Sequence, residues 1–373
     1  MNNSEIGVFT QNDLRNLVKS GALKTGNSFK NNHIGNASID ITVENETYWV
    51  EHMFRPQQQK QERVRDIFKL MNATRINMGH QMDPGYSYIA PVSVEPNFPI
   101  GMYSYANAKS TSGRNFLHAR IISDKSGWFD AIDHRTEEYG GEIFLVLEPL
   151  VYPVTLTQEE CYAQLRFFNG DTRFSDSDLR ELSQKHDLLY RRDGSGPYKQ
   201  SELFLNSHDG TLICTLFAKG DKKPIGYKAK RGSKPVDLTA RGLDPRQYFE
   251  PVYAIRIAGT NEWFVHLIKG EYYLLSTNEL VDVPEFLCAE LRALDPRLGL
   301  FFSHFAGFID PGWFGSVTLE VLAPHNMVLR HGDPVARFVF EKMRGETPSY
   351  KQMGTYNGQM GTRLPKQFAD WDE

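Results

Sequence analysis

Residues 306–321 read AGFIDPGWFGSVTLEV, and this stretch decides the predicted fold. Asp-Pro-Gly at 310–312 indicates a tight turn, because proline pre-sets the first turn dihedral and glycine accepts the strained second one. Residues 316–321 predict a β-strand, since they are rich in branched side chains and alternate in polarity. One face of that strand is polar and carries Ser316, Thr318 and Glu320. From the pattern alone, this is either an ordinary hairpin with a solvated glutamate or a place that holds a water or a ligand.

Length and composition limit the class of protein. A chain of 373 residues is long for one hydrophobic core and comfortable for two. The formal net charge of −4 gives no overall attraction to nucleic acid or acidic lipid. No apolar run approaches the length of a membrane span, and the first residues lack the parts of a signal peptide. Three widely spaced cysteines suit a reducing compartment: Cys161, Cys214 and Cys288. We expect a cytoplasmic protein without nucleic-acid or membrane partners.

The chain repeats itself in outline. NDLRNLVKSGAL at 12–23 is echoed by SDLRELSQKHDLL at 177–189, and both follow residues that can cap a helix. Three further pairs of stretches are 38–41 with 235–238, 85–99 with 270–284, and 141–147 with 315–321. The period is too long for a solenoid and indicates two diverged copies of one domain. The predicted domains are residues 1–172 and 173–373.

Most remaining segments predict short strands separated by Gly, Pro, Asn and Asp, which favours a mainly β barrel or sandwich in each half. Few helices are expected. One begins each copy, and a third is predicted at 62–71, where apolar residues at helical spacing indicate core packing.

Several blocks together resemble a known family. They are TQNDLRNLVKSGAL at 10–23, KSTSGR at 109–114, QLRFFNGD at 164–171, AGFIDPGWFGSVTLEV at 306–321 and YxxxxxYNGQxG at 350–361. In this order they resemble the two-domain bacterial members of the dCTP deaminase and dUTPase superfamily. The resemblance implies two tandem dUTPase-like domains, each a distorted jelly roll or β-barrel. It also implies hydrolytic deamination of dCTP to dUTP and ammonia, Mg²⁺ bound with the triphosphate, and a homo-oligomer, with a trimer as the family's assembly.

Lys109 to Arg114, the KSTSGR segment, combines three hydroxyls, a glycine and two cations. Short donors and permanent positive charge suit a polyphosphate, although a solvated turn is equally supported by the residues alone. The resemblance assigns the whole segment to the triphosphate, and Ser110 and Arg114 also to the pyrimidine and the attacking water. It places Lys109, Thr111 and Ser112 nearer the phosphates.

The resemblance assigns the remaining site residues to the end of the chain. Glu320 corresponds to the catalytic glutamate, and the backbone of Ala306 borders the water and the departing amino group. Asp310 is expected to bind the deoxyribose 3′-hydroxyl or merely to cap its own turn. The glycine-rich tail indicates mobility, and its expected contacts with the closed-over nucleotide are Tyr350, Tyr356 and Gln359.

The two copies differ where the chemistry is expected. Glu320 lies five residues after Gly315, whereas Val146 lies five residues after Gly141 and cannot move a proton. Glu148 offers a less favoured, shifted alternative. The counterpart of the KSTSGR segment at 292–297 lacks its hydroxyl pair. We therefore predict a composite site that joins the phosphate segment of the first domain to the glutamate of the second, with loss of function in both copies as the alternative.

Zinc is the usual means of activating water in deaminases, through His-x-Glu and Pro-Cys-x-x-Cys signatures. The sequence contains no Cys-x-x-Cys, so we predict a zinc-independent reaction without a protein metal site. The alternatives within enzymes are a dUTPase or a bifunctional deaminase and diphosphatase that recruits Asp310 or Asp130. The alternative outside enzymes is a nucleotide-binding regulator. The basic stretch 219–234 is interpreted as a solvated connection or a phosphate-facing rim.

Overall fold

The computed structural model describes residues 5–205, 211–220, 222–294, 306–350 and 354–371. The chain forms two compact units. Unit 1 comprises Met1–Thr172 with two later segments, Gly232–Leu243 and Met343–Thr347. Unit 2 comprises Arg173–Arg231, Asp244–Lys342 and Pro348–Glu373. The units differ from the predicted domains in the two later segments of unit 1, which the sequence division does not anticipate.

The elements before residue 173 are two helices, fourteen strands and three 3-10 turns in the described chain. The helices are α1 (Gln11–Ser20) and α2 (Ser110–Arg114). The strands are β1 (Leu23–Thr25), β2 (Ile39–Ile41), β3 (Thr47–Val50), β4 (Thr74–Ile76), β5 (Gln81–Met82), β6 (Ser87–Pro91), β7 (Val94–Phe98), β8 (Tyr103–Ala108), β9 (Leu117–Ser123), β10 (Ala131–Ile132), β11 (Tyr139–Gly140), β12 (Ile143–Pro149), β13 (Val154–Thr155) and β14 (Ala163–Phe168). The 3-10 turns are Asn31–His33, Gln58–Lys60 and Val64–Ile67.

The later elements are one helix, α3 (Asp176–Lys185), two 3-10 turns and fifteen strands, again within the described chain. The strands are β15 (Leu189–Arg191), β16 (Leu212–Thr215), β17 (Gly226–Ala229), β18 (Val236–Asp237), β19 (Phe249–Val252), β20 (Ile255–Arg256), β21 (Trp263–Leu267), β22 (Tyr272–Ser276), β23 (Glu279–Asp282), β24 (Leu287–Ala293), β25 (Phe308–Ile309), β26 (Phe314–Gly315), β27 (Thr318–Leu322), β28 (Met327–Arg330) and β29 (Pro334–Lys342). The 3-10 turns are Gln200–Glu202 and Pro245–Gln247.

The sheets of the two units repeat one pattern of neighbours. Unit 1 contains the orders β1-β7-β11, β10-β8-β14-β2, β4-β3-β6-β12-β9 and β18-β13-β5. Unit 2 contains β15-β23-β26, β25-β24-β29-β16, β19-β17-β22-β27 and β20-β21-β28. The central pair β6–β12 thus recurs as β22–β27, and β8–β14 recurs as β24–β29. This topology confirms the mainly β prediction with few helices, and it has the form expected of a duplicated domain.

One of the predicted correspondences between the copies is wrong. Residues 235–238 were expected to match 38–41, but β18 at Val236–Asp237 pairs in parallel with β13 inside unit 1. The strand that occupies the place of β2 in the second copy is β16, at the end of the matching sheet. A stretch of four residues with simple alternation fits any half-buried strand, so its pattern does not identify a partner.

The helix that begins each copy is capped as predicted. The hydroxyl of Thr10 accepts from the Asp13 N–H, and α1 ends at Gly21, whose φ of +78° belongs to the left-handed region. Ser175 and Asp178 form the same capping box at α3. No helix in the described part of the chain is long and apolar enough to cross a membrane.

The helix predicted at 62–71 is reduced to the 3-10 turn Val64–Ile67. The Val64 N–H donates to the Asp124 carboxylate at 2.8 Å, and a left-handed Asn72, with φ of +52°, follows the stretch. The apolar side chains are nevertheless core residues, as expected. They form an apolar cluster in unit 1 whose buried members are Val50, Val64, Ile67, Met71, Ile89, Ile122, Phe144 and Val146.

Candidate active site

The turn at 310–313 has the predicted conformation. The Trp313 N–H donates to the carbonyl of Asp310 at 3.3 Å, and Gly312 has a φ of +80°. A side chain at Gly312 would also meet the hydroxyl of Ser349 at 2.1 Å. Glycine is therefore required here for two reasons, a positive φ and the close approach of the chain that follows β29.

Glu320 lies in β27 and is withdrawn from bulk solvent, with 2 % of its surface exposed. Thr318 and Ser316, the other members of its polar row, are also buried. In the ladder with β22, Glu320 is opposite Leu274 and Thr318 is opposite Ser276. The interpretation as a hairpin with a solvated glutamate is therefore wrong. A single carboxylate secluded in a row of hydroxyls is a setting in which it can exchange a proton with a bound water.

The C-terminal segment, residues 354–371, packs on this polar row within unit 2. The side-chain amide of Gln359 donates to the carbonyl of Ser316 and, at 3.2 Å, to the hydroxyl of Thr318. In return the Ser316 N–H donates to the carbonyl of Gln359 at 2.9 Å. Gly315, with a φ of +147°, permits this approach, because a side chain there would lie 2.8 Å from the same carbonyl.

Two predicted tail contacts are held in place by the same packing. Tyr356 is buried, and its hydroxyl accepts from the Lys366 N–H at 3.1 Å. Tyr350 is half-buried; its N–H donates to the carbonyl of Pro311 at 2.9 Å, and its ring lies 5.6 Å from that of Trp313. The composition of the tail predicts a mobile segment, whereas the described residues make a packed wall in which the glycines allow close contact.

Ala306 and Asp310 bracket β25 on the approach to the turn. Both are half-buried. Between them the carbonyl of Gly307 accepts from the Leu291 N–H at 2.7 Å, as expected where a strand begins to pair with β24. Asp310 therefore lies at the start of the turn, ten residues before Glu320 in the same unit.

The KSTSGR segment lies in unit 1 and forms α2, a single short helix. Thr111, Ser112 and Arg114 are buried there, and Ser110 is half-buried. The hydroxyl of Ser112 donates to the carbonyl of Tyr162 at 2.8 Å, and the ammonium of Lys109 pairs with Asp40 at 2.5 Å. These contacts fix the segment against β2 and against the residue that precedes β14.

Comparisons with known proteins supply the identity. The model of the 2'-deoxycytidine 5'-triphosphate deaminase (DCD) N-terminal domain matches residues 5–171, and that of the C-terminal domain of the same family matches residues 175–368. The chain belongs to the dCTP deaminase family.

This chain is similar to several members of the family, over 73% to 97% of their length in the three examples that follow. A "dCTP deaminase, dUMP-forming" from Sulfurihydrogenibium sp. is 35% identical over 137 residues, which cover 35% of this chain and 73% of that protein. A "dCTP deaminase" from Acidianus ambivalens is 30% identical over 157 residues, covering 41% and 83%. The solved 2'-deoxycytidine 5'-triphosphate deaminase from Agrobacterium tumefaciens is 26% identical, with a TM-score of 0.78, and covers 92% of this chain and 97% of its own.

In this deaminase-family chain the first copy has no carboxylate at the register of Glu320. Val146 lies there instead, inside the apolar cluster of unit 1. Glu148, two residues further along β12, is half-buried; its oxygens accept from the hydroxyl of Ser87 at 2.6 Å and lie 3.2 Å from His118. The hydrogen bond from His118 lowers the pKa of Glu148, against the effect of burial.

Asp130, which was considered for recruitment to phosphate chemistry, is bound within unit 1. One carboxylate oxygen accepts from Arg120 at 2.6 Å and the other from the Ile121 N–H at 2.9 Å. Burial raises the pKa of Asp130, and the neighbouring Arg120 opposes that rise. Both oxygens therefore have structural partners, which makes Asp130 a poor candidate for positioning water.

The second copy's counterpart of the KSTSGR segment is described only at its beginning. Arg292 donates to Glu290 at 2.5 and 2.8 Å, while residues 295–297 lie outside the described chain. Lys351, His304 and the remainder of 295–305 also lie outside it.

Sequence reasoning missed Arg192, a half-buried arginine that touches the C-terminal segment. Its guanidinium donates to the carbonyl of Met360 at 2.7 Å and to the hydroxyl of Ser276 at 2.9 Å. An arginine that precedes an Asp-Gly-Ser-Gly turn is expected at the surface, since arginine is rarely buried without dedicated partners. Those partners come from distant parts of the chain, so the local pattern does not indicate them.

Proposed function

We propose that this chain hydrolyses the amino group of dCTP and releases ammonia, with dUTP as the product. The observation that carries the proposal is the placement of Glu320. In a chain of this family, that carboxylate is buried in a row with the hydroxyls of Ser316 and Thr318, and the C-terminal segment is bonded to Thr318 of the same row.

The proposed reaction uses one water and one proton acceptor. Water adds to C4 of the cytosine ring, Glu320 accepts the proton that the water loses, and the same carboxyl passes it to N3. The tetrahedral C4 then expels the amino group as ammonia after a second proton transfer, and the carbonyl of uracil forms. A positioned general base supplies roughly 10²–10⁴-fold in rate, so one carboxylate in this position has a measurable share of the catalysis.

The other proposed roles follow the family pattern. The backbone of Ala306 borders the water, and Asp310 binds the 3′-hydroxyl of the deoxyribose. Ser110 and Arg114 contact the triphosphate and also the pyrimidine and the water. The phosphates are contacted by Lys109, Thr111 and Ser112, of which Lys109 already pairs with Asp40 and Ser112 with a carbonyl. The nucleotide is covered by Tyr350, Tyr356 and Gln359.

We further propose that the site is composite. Unit 1 contains Ser110 and Arg114, and unit 2 contains Asp310, Glu320 and Gln359. The packing of Val146 in an apolar cluster supports this division, because it removes the proton acceptor at that register from the first copy. The groups are drawn from one chain or from neighbouring chains of a homo-oligomer, for which we propose the trimer of the family.

Magnesium is proposed to arrive with the triphosphate. In nucleotide enzymes Mg²⁺ is usually held mainly by phosphate oxygens and water. The ion would neutralise phosphate charge. Activation of water by Glu320 without zinc stays a prediction from the sequence. The cytoplasmic location also stays a prediction.

A second candidate function is a bifunctional reaction that continues to dUMP. It is favoured by the names of relatives such as the "dCTP deaminase, dUMP-forming" of Sulfurihydrogenibium sp.. This reaction would also hydrolyse the bond between the α- and β-phosphates, with pyrophosphate as the second product. Asp310 is the candidate for orienting the second water, since the oxygens of Asp130 accept from Arg120 and Ile121.

One assay separates these functions. Pure protein is mixed with dCTP and Mg²⁺, and ammonia, pyrophosphate and the nucleotide products are measured together. Ammonia with dUTP supports the proposal, whereas pyrophosphate with dUMP supports the bifunctional reaction. Nucleotide binding with neither product would leave a regulator without turnover and would reject both.

A further inference from the structure

Arg192 follows β15 and joins three parts of unit 2. One terminal nitrogen, Nη1, donates to the carbonyl of Met360 in the C-terminal segment at 2.7 Å. The other, Nη2, donates to the hydroxyl of Ser276 at 2.9 Å and to the carbonyl of Thr277. The guanidinium carbon lies 3.9 Å from the centre of the Phe217 ring. The cation thus connects the end of β22 to the C-terminal segment across an aromatic face.

Removing the Arg192 guanidinium from water costs free energy, which its hydrogen bonds must offset. Burial lowers the pKa of Arg192 to about 10, while the carboxylate of Glu279 opposes that change. Glu279 is itself buried and accepts from the N–H and the hydroxyl of Thr215 at 2.8 and 2.5 Å. A partly desolvated cation is stabilised by the acceptors of its terminal nitrogens, and here one of those acceptors, the carbonyl of Met360, belongs to the C-terminal segment.

The contacts of Arg192 lie beside the row of Glu320. Ser276, which accepts from Arg192, is opposite Thr318 in the β22–β27 ladder. The hydroxyl of Thr318 accepts from the Gln359 side chain at 3.2 Å and from the Arg363 N–H at 3.3 Å. Ser276 and Thr318 form one cross-strand pair, and Thr318 lies two residues before Glu320. Arg192 links Met360 to Ser276, and the neighbouring Gln359 bonds Thr318 directly.

We propose that Arg192 is a positioning residue that holds residues 358–361 against the strand of Glu320 and so controls access of water and nucleotide to that carboxylate. The functional half of this inference rests on the proposed role of Glu320, whereas the docking half does not. Arg192 acts through the C-terminal segment and takes no part in proton transfer.

The test compares Arg192→Met with Arg191→Met. Arg191 is a matched control, since it donates to Glu202 at 2.7 and 2.6 Å and lies 4.6 Å from the Tyr198 ring. Hydrogen exchange is followed at the amides of Ser316 and Gly358, which donate to Gln359 and Phe314 across the docked interface. Loss of a charged donor is expected to speed exchange there about tenfold or more in Arg192→Met. In Arg191→Met those two amides should exchange as in the parent.

Arg192→Lys gives a second measurement, and it decides the question if Arg192→Met fails to fold. Lysine can donate to one or two of the three acceptors but lacks the planar fork, so exchange between the parent and Arg192→Met rates is expected. With Arg192→Met unfolded, faster exchange at Ser316 and Gly358 in Arg192→Lys, with amides of β24 and β29 unchanged, supports the proposal. Unchanged exchange at these amides in the folded variants, or equal acceleration in Arg191→Met, overturns it.

Turnover separates this inference from the proposed function. We expect Arg192→Met to lower kcat and to raise KM for dCTP, with partial recovery of both in Arg192→Lys. If Glu320→Gln keeps its turnover while Arg192→Met loosens the segment, the proposed function fails and the docking role stands. If Glu320→Gln is inactive while the exchange at Ser316 and Gly358 is unaffected by Arg192→Met, the present inference fails alone.

Discussion

The side-chain amide of Gln359 donates to the hydroxyl of Thr318 at 3.2 Å, two residues before Glu320 on the same face of β27. The end of the chain is thus bonded to the row in which Glu320 is 2 % exposed. The motif at 306–321 and the motif at 350–361 are thus in direct contact, through the bonds of Gln359 to Ser316 and Thr318.

Replacement of Glu320 by glutamine is expected to abolish deamination and to leave dCTP binding largely intact. Glutamine keeps the size of the side chain but cannot accept a proton, and the loss of a general base costs roughly 10²–10⁴-fold in rate. Ammonia release and calorimetric binding of dCTP measure the two effects. Glu148→Gln is the matched control in unit 1 and should retain turnover. Near-normal turnover in Glu320→Gln, or an equal loss in Glu148→Gln, would reject the assignment.

Arg114→Ala is expected to weaken triphosphate binding and to slow the chemistry. Charge-assisted contacts of arginine with phosphate are about twice as strong as neutral hydrogen bonds. Arg297→Ala, in the copy without the hydroxyl pair, should have a much smaller effect on both quantities. Because Arg114 is buried, the thermal midpoint of each variant is measured beside its kinetics. If the two variants lose equal amounts of binding and turnover at equal thermal stability, the assignment of the phosphate contacts to the first copy is wrong.

Gly312→Ala is expected to loosen the packing of Ser349 and Tyr350 on the turn at 310–313, and Gly332→Ala serves as its control. Both glycines have left-handed backbones, with φ of +80° and +88°, so alanine costs each about 1–2 kcal/mol in backbone strain. A side chain at Gly312 would also meet the hydroxyl of Ser349 at 2.1 Å, whereas nothing lies within 4 Å at Gly332. Gly312→Ala should therefore show the larger fall in thermal midpoint and activity. Equal losses of thermal midpoint and activity in the two variants would mean that Ser349 moves aside without affecting stability or activity.

Stability in acid should report the Glu148 carboxylate. Its pKa lies below the ordinary value of 4.5, chiefly because of the hydrogen bond from His118, so the folded state favours the ionised form. The resulting stabilisation is present above pH 4.5 and is lost as the pH falls through the lowered pKa. The difference in thermal midpoint between the parent and Glu148→Gln should therefore shrink on acidification from pH 7 to pH 4. Exposed Glu138→Gln controls for the loss of one charge, and a difference that grows in acid would contradict the assignment.

The sequence was sufficient for features that depend on local chemistry. Proline and glycine at 311 and 312 predicted the turn, and Thr10 and Ser175 predicted both helix starts, because capping and turn preferences act over a few residues. The alternation from Ser316 to Glu320 predicted the strand and the shared polar face. The spacing of Val64 and Ile67 predicted burial correctly, although the predicted helix at 62–71 is only the 3-10 turn Val64–Ile67.

Features that depend on distant partners could not be predicted in this way. The side chain of Thr318, in the row of Glu320, accepts from Gln359 41 residues later in the chain, and the half-buried Arg192 donates to Ser276, Thr277 and Met360 together. Likewise, β18 belongs to unit 1 although in the sequence it comes after Arg173–Arg231, the first segment of unit 2. Long-range hydrogen bonds leave no periodic signal, so a local pattern defaults to solvent exposure for such residues.

The composite site makes a final prediction, which concerns two inactive proteins. Arg114→Ala lacks a group of unit 1, and Glu320→Gln lacks a group of unit 2. The two variants are dissociated, mixed and reassociated, and deamination of dCTP is measured against each variant treated alone. If each site takes Ser110 and Arg114 from one chain and Glu320 from another, some mixed sites regain both intact groups and activity returns. In a symmetric assembly of mixed chains, the recovered fraction should rise to a maximum near equal proportions and vanish at either extreme. If each site is built within one chain, mixing restores nothing. A structure with bound nucleotide that places Ser110 and Glu320 in unrelated pockets would reject the composite site itself.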